Sequence, residues 1–210
     1  MTPAVTIALA LLALYLLFLF WYGGKGKPLR SDEIQAFFDA IGKLPLTESD
    51  KQMIPEIRRL LAKDDGQEFV MQNLVRYRPK ALYPAGYSYD DDPRAADQRY
   101  GKAILGPLLR QGSLPVFIAR RCGSFVEPEG ADVWHYVAMV RYRSRRDFLR
   151  FALAIQSQGI VVHKWAALEK THIFPVKPMI SLIFVRSAVA GLLALLGAAL
   201  FLLLRWPGLV

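Results

Sequence analysis

Two long apolar stretches without a charged residue, one at each end of the chain, constrain the fold more than any other feature of this sequence. They run over residues 2–24 and 187–204. As helices that rise about 1.5 Å per residue, stretches of this length cover about 30 Å, the thickness of the hydrocarbon core of a bilayer. The sequence therefore predicts a transmembrane helix at 1–24 and a second one at 178–206.

The basic residues that flank these stretches predict an orientation. Lys25, Lys27 and Arg30 follow the first stretch, and Lys170 and Lys177 precede the second. Because basic residues accumulate on the cytoplasmic side of a membrane, we expect a two-pass inner-membrane protein with a cytoplasmic central region and both termini on the outer side. The single cysteine of the chain excludes an intramolecular disulfide framework and agrees with a reducing compartment.

Hydrophobic periodicity and turn residues predict an α+β domain in the middle of the chain. Residues 25–66 are expected to form a cytoplasmic helical linker, with helices at 31–44 and 48–63 that lie on the membrane or pack on the main domain or a partner. The domain follows at 67–177. Its predicted elements are a strand at 68–77, a helix at 93–111, strands at 114–121 and 132–142, helices at 145–156 and 161–169, and a strand at 171–176. This β-α-β-β-α-β order is the split βαβ arrangement of the ferredoxin-like fold.

Two matching tetrapeptides support this order. The sequence Val-Arg-Tyr-Arg ends the first predicted strand at 75–78 and the third at 140–143. In a ferredoxin-like sheet these two strands are expected to be central neighbours, related by a pseudo-twofold axis. Both strands are apolar on both faces, so we expect helices on one face of the sheet and a second sheet, from a dimer mate or another subunit, on the other.

Four segments of the domain carry a resemblance to a known family. They are Val-Met-Gln-Asn-Leu-Val-Arg-Tyr at 70–77, Arg-Tyr-Gly at 99–101, the segment 140–149, and His-Lys-Trp-Ala-Ala-Leu-Glu at 163–169. Over about residues 67–176 the chain resembles the small, uncharacterised dimeric α+β-barrel proteins. The resemblance implies a ferredoxin-like monomer that pairs sheet to sheet around a shared interior. Its superfamily includes cofactor-free monooxygenases, haem-handling proteins and members of unknown activity, so the fold alone does not select a function.

Five polar residues are candidates for ligand binding. Asn73, Arg76 and Arg141 lie on otherwise apolar strands, and Tyr100 and His163 lie on helices. If such groups converge in the shared interior, they would orient a small anionic or carbonyl ligand, as a few polar groups do in an apolar pocket. The alternative is that they satisfy backbone groups or one another at a dimer interface, a sheet end or the protein surface.

A dense run of arginines is the candidate for a basic surface. Arg143, Arg145, Arg146 and Arg150 lie close together in a chain with a formal net charge of +9. Lipid headgroups or an acidic protein partner are the expected ligands of this surface. Nucleic acid ranks lower, because the chain shows none of the recognition motifs of nucleic-acid-binding modules.

No catalytic residue, metal site or cofactor is predicted. The three histidines do not follow a metal-ligand spacing, and the acidic run Asp90–Asp92 with Asp97 lacks the pattern of a calcium loop. Cys122 lies near arginines, but no paired base is evident from the sequence. There is also no glycine-rich phosphate loop and no nucleophile elbow.

Two kinds of function remain open at this stage. The first is an interaction or assembly module that forms a homodimer or joins another membrane-protein subunit. The second is a membrane-tethered small-molecule binder, or an oxidoreductase-like enzyme, that uses the barrel interior for a lipophilic substrate such as a quinone. Because no catalytic motif is present, the sequence favours the first function and leaves enzymatic activity undecided.

Overall fold

The computed structural model describes residues 20–23 and 26–180. Beyond them it describes only isolated positions, which are 9, 13, 16–18, 191, 195, 198–199 and 202–203. The chain divides into two units, one of which is Trp21–Lys177. All helices and strands discussed below belong to this unit.

The unit contains five helices and four strands within the described residues. In chain order they are helix α1 Ser31–Ile41, helix α2 Glu48–Leu61, strand β1 Phe69–Tyr77, helix α3 Pro93–Arg110, strand β2 Leu114–Arg120, strand β3 Tyr136–Tyr142, helix α4 Arg145–Ser157, helix α5 Val161–Ala167 and strand β4 Leu168–Val176. Their type and order are those predicted from the sequence. The strands differ most, since β3 begins four residues later than predicted and β4 begins three residues earlier.

The predicted transmembrane helices are not supported. Within the part of the chain that the structure describes, no helix is long and apolar enough to cross a membrane. The longest described helix, α3, has 18 residues but carries five charged side chains, at positions 94, 97, 99, 102 and 110. Most of the predicted spans 1–24 and 178–206 lies outside the described residues. The prediction of flanking transmembrane helices, and with it the two-pass inner-membrane location, is therefore wrong on this finding.

Side-chain caps fix the points at which two of the long helices begin. The Asp92 carboxylate accepts a hydrogen bond of 2.8 Å from the backbone N–H of Arg94, and Pro93 occupies the first position of α3. The Ser144 hydroxyl likewise accepts a bond of 3.1 Å from the backbone N–H of Asp147 in α4. Such caps satisfy N–H groups that have no partner within the helix.

The four strands form one antiparallel sheet in the order β2-β3-β1-β4. Strand β1 is central, and Asn73 lies opposite Ala138 on one side and opposite Ile173 on the other. The neighbouring positions of β1 and β3 are those that the repeated tetrapeptide predicted. The α+β class is thus confirmed.

The two faces of the sheet have different environments. Phe69 and Met71 of β1 point toward the helices and are buried with Leu108 of α3 and with Phe151 and Ile155 of α4. We call this the helix-facing side. The alternate residues point to the opposite face, which we call the open side, and there Phe117 of β2 and Phe174 of β4 are exposed.

The helical pair α1–α2 packs on the main domain, which is one of the two arrangements left open by the sequence. Phe37, Phe38 and Ile41 of α1 form a buried cluster with Leu61 of α2 and Leu149 of α4. Helix α2 thereby lies beside α4 and reaches the edge of the helix-facing side.

A buried carboxylate, that of Asp147, stabilises the N-terminus of α4 through hydrogen bonds. Asp147 is 3 % exposed and accepts hydrogen bonds from the Arg143 guanidinium at 2.8 and 2.9 Å and from the Ser144 hydroxyl at 2.7 Å. Burial opposes ionisation of this carboxyl, but the bonds from Arg143 and Ser144 outweigh burial and lower its pKa below the ordinary value.

We therefore expect Asp147→Ala to lower the free energy of unfolding at pH 7 by about 3 kcal/mol, because it removes one partner of a buried ion pair. Because the pKa of Asp147 is lowered on folding, its contribution is fully present above the unfolded pKa, declines as the pH drops below that value, and is lost as the pH falls through the lowered folded pKa. Urea unfolding of both proteins at pH 7 and at pH 3 measures the difference. The exposed Glu56–Arg59 pair supplies the control, since Glu56→Ala should cost less than about 1 kcal/mol. Equal losses in the two variants would contradict this account.

Candidate functional site

A cleft with a volume of about 1910 Å³ lies between the helix-facing side of the sheet and the helices. Alternate residues of the strands form its floor, and α2, α3, α4 and α5 supply its walls. The main lining residues are Met71, Asn73, Val75 and Tyr77 of β1, Tyr136, Ala138 and Val140 of β3, Asp97, Tyr100, Gly101 and Ile104 of α3, Phe151 and Ile155 of α4, and Lys164 and Trp165 of α5. Most of them are apolar, although charged side chains such as Glu56, Arg59, Lys63 and Arg120 also line the cleft. We call the part of the cleft that Tyr77, Asp97, Tyr136 and Lys164 line its polar end.

A carboxylate held by two tyrosines forms part of that polar end. The hydroxyls of Tyr77 and Tyr136 donate hydrogen bonds to the two oxygens of Asp97, at 2.8 and 3.2 Å. Burial raises the pKa of Asp97, although the two tyrosine bonds act in the opposite direction. Burial and the nearby negative charge also raise the pKa of both tyrosines, which therefore remain protonated donors at neutral pH.

A lysine amine without a salt bridge is the second part of the polar end. Lys164 of α5 is partly buried, and its Nζ atom lies 5.0 Å from the ring centroid of Trp165 and 5.9 Å from that of Tyr100. Within the described residues this amine forms no salt bridge. Burial lowers the pKa of Lys164 to about 8, and the more distant carboxylates of Asp97 and Asp50 only partly offset that effect.

Lys164 and Tyr100 also line a second, smaller cavity. It has a volume of about 80 Å³ and lies on the α2 side of the helix layer. Asp50 of α2 belongs to its lining and accepts a hydrogen bond of 3.3 Å from the Trp165 indole N–H. The side chains around Lys164 are thus held by contacts from α2, α3 and α5.

The structure brings only two of the five predicted ligand residues into the cleft. Asn73 and Tyr100 line it, whereas Arg76 and Arg141 lie on the open side of the sheet. The reason is the two-residue period of a strand. Asn73 pairs with Ala138, and Arg141 lies three residues beyond Ala138, so its side chain points to the other face. Asn73 and Arg141 therefore do not share one interior.

Arg76 and Arg141 are instead bound to other parts of this chain. Arg76 donates two hydrogen bonds of 2.9 Å to Glu169 on the neighbouring strand. Arg141 is 3 % exposed, forms a salt bridge with Glu68, and lies with its guanidinium carbon 3.5 Å from the ring centroid of Tyr22. Both arginines satisfy groups of the fold, which is the alternative that the sequence left open.

His163 lies in a cluster of aromatic residues outside the cleft. Its Nδ1 atom is 2.9 Å from the Tyr83 hydroxyl, and its ring packs edge-on against Tyr83 and Tyr89. Arg99 packs over the Tyr89 ring. Burial, followed by the positive charge of Arg99, lowers the pKa of His163 below its ordinary value, which favours the neutral imidazole.

The predicted basic surface is largely neutralised within the chain. All four arginines have carboxylate partners. Three of them are mostly buried, whereas the Arg150 side chain is 58 % exposed. The pairs are Arg143 with Asp147, Arg145 with Asp64 and Asp65, Arg146 with Glu33, and Arg150 with Asp147 at 3.5 Å. These bonds connect α4 to α1 and to the segment before β1.

Asp97 and Lys164, which both line the cleft, are not among the ligand residues that the sequence predicted. Asp97 was grouped with the acidic loop 90–92, although the helical period places it on the same face of α3 as Tyr100, Gly101 and Ile104. Lys164 was noted only as a neighbour of His163. The signal that could have identified Lys164 as a buried lysine is its position beside Trp165 in a short, mostly apolar helix. Among the described residues, no group of three or more His, Cys, Asp or Glu side chains is arranged to hold a metal ion.

Comparisons with known proteins support the fold and leave the function open. No family model and no curated protein matches this chain. The crystal structure of the methylated RPA0582 protein is similar to it with a TM-score of 0.53 and 25% identity, over 65% of this chain and 95% of that one. The RPA0582 protein of unknown function from Rhodopseudomonas palustris has the same TM-score of 0.53 and 24% identity, over 66% and 98% of the two chains. These neighbours are consistent with an α+β fold.

The aromatic cluster gives a prediction about the pKa of His163. Replacing Arg99 by Gln removes the nearby positive charge that disfavours the imidazolium, so we expect the pKa of His163 to rise toward the ordinary value of about 6.5. An NMR titration of the imidazole carbon-bound protons measures it. Arg94→Gln, at an exposed position of the same helix, should leave the value unchanged. A pKa that is unchanged or lower in Arg99→Gln would contradict the role given to Arg99.

Proposed function

We propose that this protein binds an apolar small molecule in the cleft, with an oxygen-bearing group of the ligand at the polar end. One observation carries the proposal. An amine without a salt bridge among the described residues, that of Lys164, and a carboxylate held by two tyrosines, that of Asp97, line the same largely apolar cleft and lie near enough to interact electrostatically. An apolar pocket with a few convergent polar groups is the usual form of a small-molecule site.

The size and lining of the cleft favour an extended apolar ligand. Its volume of about 1910 Å³ exceeds the roughly 300–1,000 Å³ of ordinary ligand pockets. Met71, Ile104 and Phe151 lie along it. Each square ångström of apolar surface that a ligand buries there contributes about 25 cal/mol, so binding would rest mainly on the apolar body of the ligand.

The polar groups define which end of the ligand they recognise. Tyr77 and Tyr136 already donate their hydroxyl hydrogens to Asp97. Lys164 differs from them, because its amine forms no salt bridge with a described residue and can donate to a ligand. A carbonyl or carboxylate oxygen is the group that such an amine binds, and the buried surroundings strengthen the interaction. The ligand class is therefore an apolar carbonyl compound or carboxylate.

Gly101 allows a direct test. It lies in α3 at the cleft, and a Cβ atom added there has no other atom within 4 Å. Gly101→Leu fills part of the cleft without strain and should weaken binding of the apolar anion 1-anilinonaphthalene-8-sulfonate about tenfold, or ~1.4 kcal/mol. Gly106→Leu is the matched control, because Gly106 lies in the same helix, outside the cleft lining, and is equally unobstructed. Fluorescence titration measures both. Equal affinity in the two variants, or no binding by the wild-type protein, contradicts the proposal.

A second function, self-association, is favoured by the open side of the sheet. Leu74, Met139, Phe117 and Phe174 give this side a largely apolar centre around Gln72, and Phe117 and Phe174 are 37% and 42% exposed. The charges at its ends are paired within the chain, by Arg76 with Glu169 and Asp132 and by Arg141 with Glu68. An apolar centre between neutralised ends fits a second copy of the same surface, because two copies do not repel. We propose a homodimer formed through the open side.

Static light scattering on the purified protein tests the dimer. We expect the mass of a dimer for the wild-type protein and that of a monomer for Met139→Asp, because a carboxylate would be buried without a partner in the interface. Leu105→Asp, at an exposed position of α3, should remain a dimer. A wild-type protein that is monomeric at all concentrations would exclude this arrangement.

A further inference from the structure

We propose that Lys164 forms a reversible covalent imine with the carbonyl carbon of an apolar aldehyde or ketone bound in the cleft. This inference rests on the proposed function and narrows its ligand class. The amine stands at the polar end of an apolar cavity, between two aromatic rings and without a salt bridge among the described residues. A ligand that places its apolar body along the cleft would present its carbonyl group to this atom.

The surroundings of Lys164 keep the amine from being neutralised by a direct salt bridge. The charged groups around it are Asp97 of α3 and Asp50 of α2. Asp97 already accepts two tyrosine hydrogen bonds, and Asp50 accepts bonds from the Trp165 indole at 3.3 Å and the Gln156 amide at 3.2 Å. Both carboxylates are therefore engaged by other donors, and Lys164 lines the cleft.

The protonation state of Lys164 suits nucleophilic attack. With the pKa lowered by burial to about 8, about half of the amines are neutral at pH 8, compared with about 0.4 % for an ordinary lysine. Only the neutral amine has the lone pair that attacks a carbonyl carbon, and desolvation in an apolar pocket is a recognised way to activate a lysine for imine formation.

The reaction balances without an oxidant or reductant. The Nζ lone pair forms a bond to the carbonyl carbon, and the carbonyl oxygen takes up a proton to give a carbinolamine. A second proton on the same oxygen turns it into a water leaving group. Water departs as the nitrogen lone pair forms the carbon–nitrogen double bond, and the nitrogen gives up the two protons that it carried as an amine. One water leaves for each imine formed, and no net proton is consumed. Asp97, whose pKa is raised and whose two oxygens contact Tyr77 and Tyr136, is placed in the same cleft to relay these protons.

Reductive trapping of the full chain tests the inference. Octanal and cyanoborohydride are added at pH 8, and peptide mass spectrometry follows the alkylated fraction of each lysine with time. We expect Lys164 to be alkylated at least about tenfold faster than Lys102, an exposed lysine of α3. Lys164→Arg should lose the fast site while its far-ultraviolet circular dichroism spectrum is retained. Lys102→Arg should leave the rate at Lys164 unchanged.

Alkylation of Lys164 no faster than that of Lys102 overturns the inference. The same samples are titrated with 1-anilinonaphthalene-8-sulfonate, so that the two proposals fail separately. If the wild-type protein binds this probe and Gly101→Leu weakens binding, but Lys164 shows no fast alkylation, the imine is excluded and the binding function stands. If the probe does not bind and Lys164 is not trapped, both proposals fail.

Discussion

The alternation of side chains along β1 is the constraint on which the rest of the structure depends. This strand lies between β3 and β4, and each of its side chains points either to the helices or to the open side. Phe69 and Met71 build the core under α3 and α4, and Asn73, Val75 and Tyr77 continue the same row into the cleft. A shift of one residue would place the core on the open side and separate Tyr77 from Asp97.

The cleft follows from the small residues that face it. Ala138 on β3, Thr171 on β4, Gly101 on α3 and Ala152 on α4 all line it. Large side chains at these places would close the space between the sheet and the helices, as Phe69 and Leu108 do in the neighbouring core. The fold thus has a packed core and an open cleft on the same side of one sheet. At the polar end of the cleft, hydrogen bonds rather than close packing fix the positions of the side chains.

The sequence predicted the elements well because their signals are local. Hydrophobic periodicity and caps such as Asp92 and Ser144 locate the helices, and the repeated Val-Arg-Tyr-Arg marks the two central strands. The transmembrane spans were inferred from hydropathy, and they have no support among the described helices.

The site was harder to predict because its signals are not local. Arg141 attracted notice as a charge on an apolar strand, yet its partners are Glu68 and the backbone carbonyls of Gly112 and Tyr22, which the sequence does not show to be near. Asp97 and Lys164 looked ordinary because each is a common residue on a helix. What distinguishes them is their burial, which results from the packing of α3 and α5 against the sheet and which changes the pKa values of both groups.

The central claim is that the cleft between sheet and helices holds an apolar ligand by its polar end. A crystal structure of the protein with 8-bromooctanoate, using the anomalous scattering of bromine, tests this claim most directly. The account predicts a bromine peak among the apolar lining residues Met71, Ile104 and Phe151, with the ligand carboxylate within hydrogen-bonding distance of Lys164 Nζ. No bromine peak in the cleft, or a cleft closed by movement of α3 onto the sheet, would contradict it.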